Sequence, residues 1–183
     1  MTDNLEAYRL FHIGDYDGAD RLDPTFAVSN FEKAEEFHTF QRDAEAAKIA
    51  IKKAMKHRSR VSEYCDMEIQ VLNYHIQGQK EKAIVLRKLQ VELNPDNVDV
   101  YLSLIREYHE YGNYEQALAT AIIVTEIFPE YQLAQTRARE LLMLGRPQEA
   151  LLIMEDYLED TPKNTEALMQ LGEIYLDLDN LEE

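Results

Sequence analysis

The chain has 183 residues, a mass of 21.4 kDa and a hydrophobic fraction of 45%, which is enough apolar content for a buried core. Its six glycines and five prolines are too few for a turn-rich β-sandwich and favour helices. Acidic residues outnumber basic ones by 35 to 19, and a net charge of −16 opposes binding to nucleic acid or to an anionic membrane surface.

The cysteine content and the apolar segments exclude further classes of protein. Cys65 is the single cysteine, which excludes an internal disulfide and a cluster of thiolate metal ligands. The N-terminus lacks the basic and apolar segments of a secretory signal, and the longest largely apolar stretch, residues 117–124, is far shorter than the roughly 20 residues of a membrane span. We therefore expect a cytoplasmic protein that makes no contact with a membrane.

Residues 1–28 are predicted to form a short helix, from about Leu5 to His12, followed by a loop. The loop contains four aspartates, Asp15, Asp17, Asp20 and Asp23. Clustered carboxylates suit calcium, but Gly18 falls at the fourth position of a twelve-residue calcium loop, where the sixth is required. We therefore interpret these aspartates as solvated loop carboxylates.

Residues 29–63 are predicted to form a helical pair, and a diverged repeat is one interpretation of it. No Gly or Pro occurs between residues 30 and 77, and Ser29 with Glu32 resembles a capping box at a helix start. One apolar face comprises Phe31, Ala34, Phe37 and Phe40, and a second comprises Ala47, Ala50, Ile51, Ala54 and Met55.

A basic stripe follows on the second helix of this pair. It consists of Lys48, Lys52, Lys53, Lys56 and Arg60. One interpretation is a solvated helix face. The other is a docking surface for an acidic protein, for example the second half of a neighbouring copy, because residues 96–183 have a net charge of −14 and residues 1–95 only −2.

In the rest of the chain, a short sequence segment recurs with a period near 34 residues. The segment GQKEKA at residues 78–83 recurs as GNYEQA at 112–117, as GRPQEA at 145–150 and, in altered form, as DNLEE at 179–183. Each alanine that ends the first three segments precedes a proline by twelve residues, namely Pro95, Pro129 and Pro162. This recurring pattern of glycine, alanine and proline predicts units that each consist of a helix, a turn and a second helix that ends before the proline. Ala83, Ala117 and Ala150 are expected to be the seams between paired helices.

The unit is similar to the tetratricopeptide repeat, a helical hairpin of 34 residues. The matching residues are Tyr101, Leu104, Tyr108, Gly112, Tyr114, Ala117, Ala121, Val124 and Pro129 in one unit, Ala150, Met154, Tyr157 and Pro162 in the next, and Leu168, Leu171, Gly172, Tyr175 and Leu181 in the last. Arg87 and Gln90 depart from the pattern, because the family prefers small or apolar residues there.

The resemblance implies an all-α fold, an α-α superhelix of about three and a half hairpins with a helical N-terminal extension. It covers residues 64–183, divided into 64–95, 96–129, 130–162 and an incomplete unit, 163–183. The third unit is one residue short, so its first helix, near Leu133 to Leu144, fits two registers. The last unit stops where its second helix would begin. Either a longer protein has been cut there, or the final helix is a natural cap.

In the resembling family the first helices of successive units line a concave surface that binds peptides or helices. The corresponding partner groove here would comprise Asp99, Ser103, Arg106, His109, Glu110, Glu166, Met169, Gln170, Glu173 and Asp177. This groove is mostly acidic, so a partner with a basic or apolar segment is expected. One subtype of the family clamps a C-terminal carboxylate with a set of basic side chains. That set is missing here, since Lys163 is the only lysine after Lys88.

These features predict a scaffold or adaptor for protein–protein interaction that has no catalytic residues and needs neither cofactor nor metal. The five histidines are scattered, and no phosphate-binding loop, nucleophile elbow or HExxH motif occurs. Two alternatives stay open. One is the regulatory or substrate-recruiting part of a larger enzyme truncated at residue 183, and the other is a structural repeat protein that assembles into a homo-oligomer.

Overall fold

The computed structural model describes residues 2–180, which form eleven α-helices and no strand and so confirm the predicted all-α fold. The helices are α1 Leu5–His12, α2 Tyr16–Leu22, α3 Ala27–Glu36, α4 Ala44–His57, α5 Glu63–Ile76, α6 Lys80–Leu93, α7 Val98–Glu110, α8 Tyr114–Ile127, α9 Ala134–Met143, α10 Pro147–Asp160 and α11 Thr165–Asn180. The chain divides into two compact units, residues 1–90 and 91–183. None of the helices within residues 2–180 has the length and hydrophobicity required to cross a bilayer.

Residues 16–22 were expected in a loop and instead form α2. The carboxylate of Asp15 accepts a hydrogen bond from the Gly18 N–H at 2.8 Å, which caps the helix start. Gly18 is buried, and a side chain at this position would collide with Asp15 and Leu10. Glycine therefore allows close packing at this position.

The four N-terminal aspartates are engaged by protein groups. Asp15 caps α2, Asp17 pairs with Lys33, Asp20 accepts a hydrogen bond from Lys53 at 2.6 Å, and Asp23 accepts one from the Thr25 N–H at 2.9 Å. The hydrogen bond from Lys33 and its charge hold the pKa of Asp17 below its ordinary value. The interpretation as solvated carboxylates is wrong for Asp20, whose side chain is only 12% exposed.

The predicted capping box at Ser29 is wrong, because α3 begins three residues before the start that a Ser29 cap requires. Phe26 occupies the cap position, after a turn closed by its N–H to the carbonyl of Asp23 at 3.0 Å. Ser29 is buried within the first turns of α3, and its hydroxyl donates to the carbonyl of Tyr16 at 3.4 Å.

A π-helical turn, Phe37–Gln41, follows α3, and Arg42 adopts a left-handed conformation with φ of 53°. This turn leaves Phe40 80% exposed, so the predicted apolar face ends at Phe37. The core of the first unit is formed by Ala27, Ala34, Ala50, Ile51, Ala54, Ile69 and Leu72.

Arg87 and Gln90, which depart from the repeat pattern, are buried in a polar cluster with Glu68. Gln90 Nε2 donates to Glu68 Oε1 at 2.8 Å, and Arg87 donates to Gln90 Oε1 at 2.9 Å and also pairs with Glu68. Mutual hydrogen bonds offset the cost of burying these groups. The helices α5 and α6 are thus joined by polar contacts where the family uses apolar ones.

Buried alanines and glycine turns define the hairpins of the repeats. Ala83, Ala117 and Ala150 are all 0% exposed, as expected for seams. Gly112 joins α7 to α8 with φ of 73°, and the following Asn113 N–H reaches back to the carbonyl of Tyr108 at 2.8 Å. The core of the second unit comprises Leu118, Ala138, Leu141, Ala150, Met154, Ala167 and Ile174.

The third and fourth repeats differ from the sequence prediction at their boundaries. Helix α9 begins at Ala134, after Leu133 in a left-handed conformation with φ of 47°, which fixes the register left open by the sequence. The turn expected at Asp179 is absent, and α11 continues to Asn180, since aspartate lacks the freedom of the glycines that end the other first helices. Leu181, whose match to the repeat was predicted, lies outside the described residues. The proposed unit boundaries stay a prediction.

The Ala117 seam yields a stability test. We expect Ala117→Leu to lower the free energy of unfolding by about 1–3 kcal/mol, because three extra carbon atoms must fit a fully packed contact. Urea denaturation followed by circular dichroism measures the change. Ala119→Leu is the matched control, since Ala119 is exposed on the same helix, and an equal loss in both variants would contradict the seam.

Candidate functional site

Helices α9 and α11 of the second unit are the walls of an open groove with a volume of about 770 Å³. We call it the α9–α11 groove. Its lining residues are Gln135, Thr136, Arg139, Leu142 and Met143 from α9, and Glu166, Met169, Gln170, Glu173, Leu176 and Asp177 from α11.

Helical periodicity orients the α11 wall. Ala167 and Ile174 are 0% exposed and pack into the core, whereas the residues one position before and two positions after each of them, such as Glu173 and Leu176, lie on another side of the helix and line the groove. The start of the helix is fixed by Asn164, whose side-chain oxygen accepts the Ala167 N–H at 3.1 Å. Gln170 Nε2 donates to the backbone carbonyl of Gln135 at 2.8 Å and so ties α11 to α9.

A buried carboxylate orients the α9 wall. Glu140 is 0% exposed, and its Oε1 accepts hydrogen bonds from Nε and Nη2 of Arg139, each at 3.1 Å. Nδ1 of His109, on α7, lies 2.9 Å from the other carboxylate oxygen. Because both neighbours hold Glu140, the guanidinium of Arg139 is restrained at the edge of the groove.

The groove combines negative charge with exposed apolar side chains. Glu166, Glu173 and Asp177 contribute three carboxylates, whereas Arg139 is the single cation of the lining set. Three further lining residues, Met143, Met169 and Leu176, are 50%, 67% and 65% exposed. Methionine adapts its shape to different apolar groups. The arrangement is suited to holding cationic and aliphatic side chains of another molecule.

The structure brings together one half of the predicted groove residues. Glu166, Met169, Gln170, Glu173 and Asp177 all line the α9–α11 groove. The other half, on α7, lies outside its lining, and it consists of Asp99, Ser103, Arg106, His109 and Glu110. Among these, His109 supports the groove indirectly through Glu140.

Sequence reasoning missed the residues of α9 and one residue of α11. Gln135, Arg139 and Leu142 follow the helical spacing of a common face, but that face could not be assigned while two registers were open. Leu176 precedes the predicted Asp177 and was passed over because an exposed leucine looks like a core residue in sequence.

The predicted basic stripe separates into two groups. Lys53 pairs with Asp20, and Arg60 contacts Thr25 and lies 3.7 Å from Asp3. The other three residues, Lys48, Lys52 and Lys56, are exposed on α4. Lys48 pairs with Glu45 at 2.8 Å, and no ion pair is formed by Lys52 or Lys56 with any residue between 2 and 180.

The burial of Glu140 leads to a second stability test. We expect the double variant His109→Ala/Arg139→Ala to lower the free energy of unfolding by about 3 kcal/mol, because it leaves a buried carboxylate without its partners. Adding Glu140→Gln to that background should restore part of the loss, since a neutral amide is less costly to bury. Chemical denaturation checks both, and failure of the third substitution to restore stability would contradict the role of the carboxylate.

Comparison with known proteins shows which folds are similar to that of this chain. Residues 141–183 match the family model described as "Tetratricopeptide repeat". The fold is similar to that of YrrB, described as a TPR protein with an unusual peptide-binding site, with a TM-score of 0.60 and 18% identity over 89% of this chain and 87% of that one. It is also similar to TTC0263, a thermophilic TPR protein of Thermus thermophilus, with a TM-score of 0.54 and 21% identity over 93% and 95% of the two chains.

No curated protein matches the chain. The repeat punctuation, the buried alanine seams and the family match at residues 141–183 agree with the resemblance predicted from the sequence. The chain therefore has an all-α fold similar to the folds of these two TPR proteins, and its residues 141–183 match the tetratricopeptide-repeat family.

Proposed function

We propose that the protein is a non-catalytic scaffold or adaptor and that the α9–α11 groove receives a peptide or helix of a partner protein. The observation that carries this proposal is the groove itself, in which three carboxylates surround three exposed apolar side chains. Exposed apolar side chains grouped in a concavity are typical of interaction sites. The peptide-binding site by which YrrB is described supports the idea that such a fold can bind peptides.

The proposed partner segment has basic and apolar residues. Glu166, Glu173 and Asp177 form no ion pair with any residue in the range 2–180, so their charges are available to lysine or arginine. Met169 and Leu176 lie seven residues apart on α11, about 10 Å along the axis, and a partner helix could contact both with side chains at the same spacing. The charges would act mainly on association rate and selectivity.

The groove is expected to bind as a preformed surface. The Gln170–Gln135 hydrogen bond ties its walls together, and buried Glu140 restrains Arg139. A binding surface that is already ordered avoids the entropy cost of ordering it on association. Arg139 would add selectivity, because its charge disfavours a lysine or arginine placed at that end of the groove.

A pair of model peptides tests the proposal. A fluorescein-labelled amphipathic peptide with Lys and Leu at helical spacing should bind, and its counterpart with Glu for Lys should not. Glu173→Lys/Asp177→Lys should weaken binding about tenfold, because two attractions become repulsions. Fluorescence anisotropy measures the dissociation constants, and raising NaCl from about 50 to about 500 mM should weaken wild-type binding.

The matched control is Glu126→Lys/Glu159→Lys, which makes the same change of net charge at exposed positions of α8 and α10, outside the groove lining. This variant should bind within about twofold of the wild type. Equal weakening by both double variants would show that net charge, and not the groove, attracts the peptide. Binding that ignores both salt and the groove variant would also reject the proposal.

A further inference from the structure

The exposed face of α4 is positively charged, whereas the α9–α11 groove is mostly negatively charged. Lys48, Lys52 and Lys56 follow one another at intervals of four residues, which places them on one side of the helix. Ile49 is 63% exposed beside them. This face of the first unit is therefore a basic and apolar helix surface, the kind of surface that the groove of the second unit is proposed to bind.

A second groove runs beside this face, between α4 and α5, with a volume of about 330 Å³. Ile51, Met55 and Ile76 supply its apolar lining, and Lys48 and Lys52 lie on the α4 side. Asn73 and Gln77 complete the α5 side and are joined by a hydrogen bond of 2.8 Å. No carboxylate is among its lining residues, although the chain has 35 acidic residues.

Helix α11 is complementary to this second groove. Its exposed side chains include Met169 and Leu176, and its four acidic residues are accompanied by no basic one. The two units differ in the same sense. Residues 1–90 contain 15 acidic and 14 basic side chains, whereas residues 91–183 contain 20 and 5. Both units are net negative, so the attraction between copies comes from the local face of α4, where Lys48, Lys52 and Lys56 would meet the carboxylates of α11.

We propose that two copies of the protein associate head to tail through α4 of one copy and α11 of the other. The lysine ridge of α4 lies in the α9–α11 groove, and the Met169 and Leu176 ridge of α11 lies in the α4–α5 groove. Each helix thereby packs as a ridge into the groove beside the other, the usual geometry of helix packing. This inference rests on the proposed function, because it identifies α4 of a second copy as the occupant of the acidic groove.

The contact joins two different surfaces, so it is heterologous. In a pair, the α11 surface of one copy and the α4 surface of the other stay unused, and further copies can add until a ring closes. Since the contact depends on opposite charges at exposed positions, added salt weakens it. Association should therefore rise with protein concentration and fall with ionic strength.

Sedimentation velocity tests this association in the full-length protein. Between about 5 and about 200 µM at low salt, the weight-average sedimentation coefficient should rise, and about 500 mM NaCl should return it to the monomer value. Lys52→Glu/Lys56→Glu and Glu173→Lys/Asp177→Lys should each be monomeric, because each creates repulsion across the contact. An equimolar mixture of these two variants should associate again, since each supplies the surface that the other has reversed.

The mixture also controls for folding, because a misfolded variant would not restore association. Arg21→Glu/Lys82→Glu reverses two exposed cations of the first unit away from α4 and should associate like the wild type. A wild-type protein that stays monomeric at low salt, a mixture that stays monomeric, or a control that loses association would each overturn the proposal. If the model peptide still binds the groove in that case, the proposed function stands and only the second copy is excluded as its occupant.

Discussion

The close approach of paired helices at buried alanines is the contact on which the repeats depend. Ala83, Ala117 and Ala150 have no exposed surface, and each lies on the second helix of a hairpin. A methyl group is small enough for the backbones to approach closely, so the first helix of the hairpin can bury its larger apolar residues against it. Because that face is buried, the opposite face of each first helix is left to solvent. The binding surface proposed here is a direct result of this division.

Behind the α9–α11 groove, a buried polar contact supplements the apolar core of the second unit. Glu140 is a buried acid in the second unit, and its two neighbours come from different positions along the chain, Arg139 beside it and His109 on α7. A charge in this position is favourable only while both neighbours hold it. The same contact that offsets the burial of Glu140 also sets the position of Arg139, so the stability of the unit and the shape of its groove are linked.

The sequence predicted features that repeat and missed features that depend on a single local contact. The seams and the glycine turns recur, so they could be assigned from spacing alone. Helix α2 depends on the cap by Asp15 and on the burial of Gly18 against it, and residue spacing in the sequence shows neither contact. The α11 half of the groove was predicted from the resemblance to the repeat family, whereas the α9 half required the register that Leu133 sets.

The polar cluster of Glu68, Arg87 and Gln90 makes the hairpin of α5 and α6 unlike the later ones. The Ala83 seam is shared with the later hairpins, but buried Arg87 and Gln90 must be matched by Glu68 on the facing helix. Exchange of α5 or α6 would leave a buried charge facing an alkyl side chain, which is strongly unfavourable. The contact of buried Glu140 with His109 places the same constraint on α7 and α9, so duplication, deletion or shuffling of units is restricted at both polar contacts.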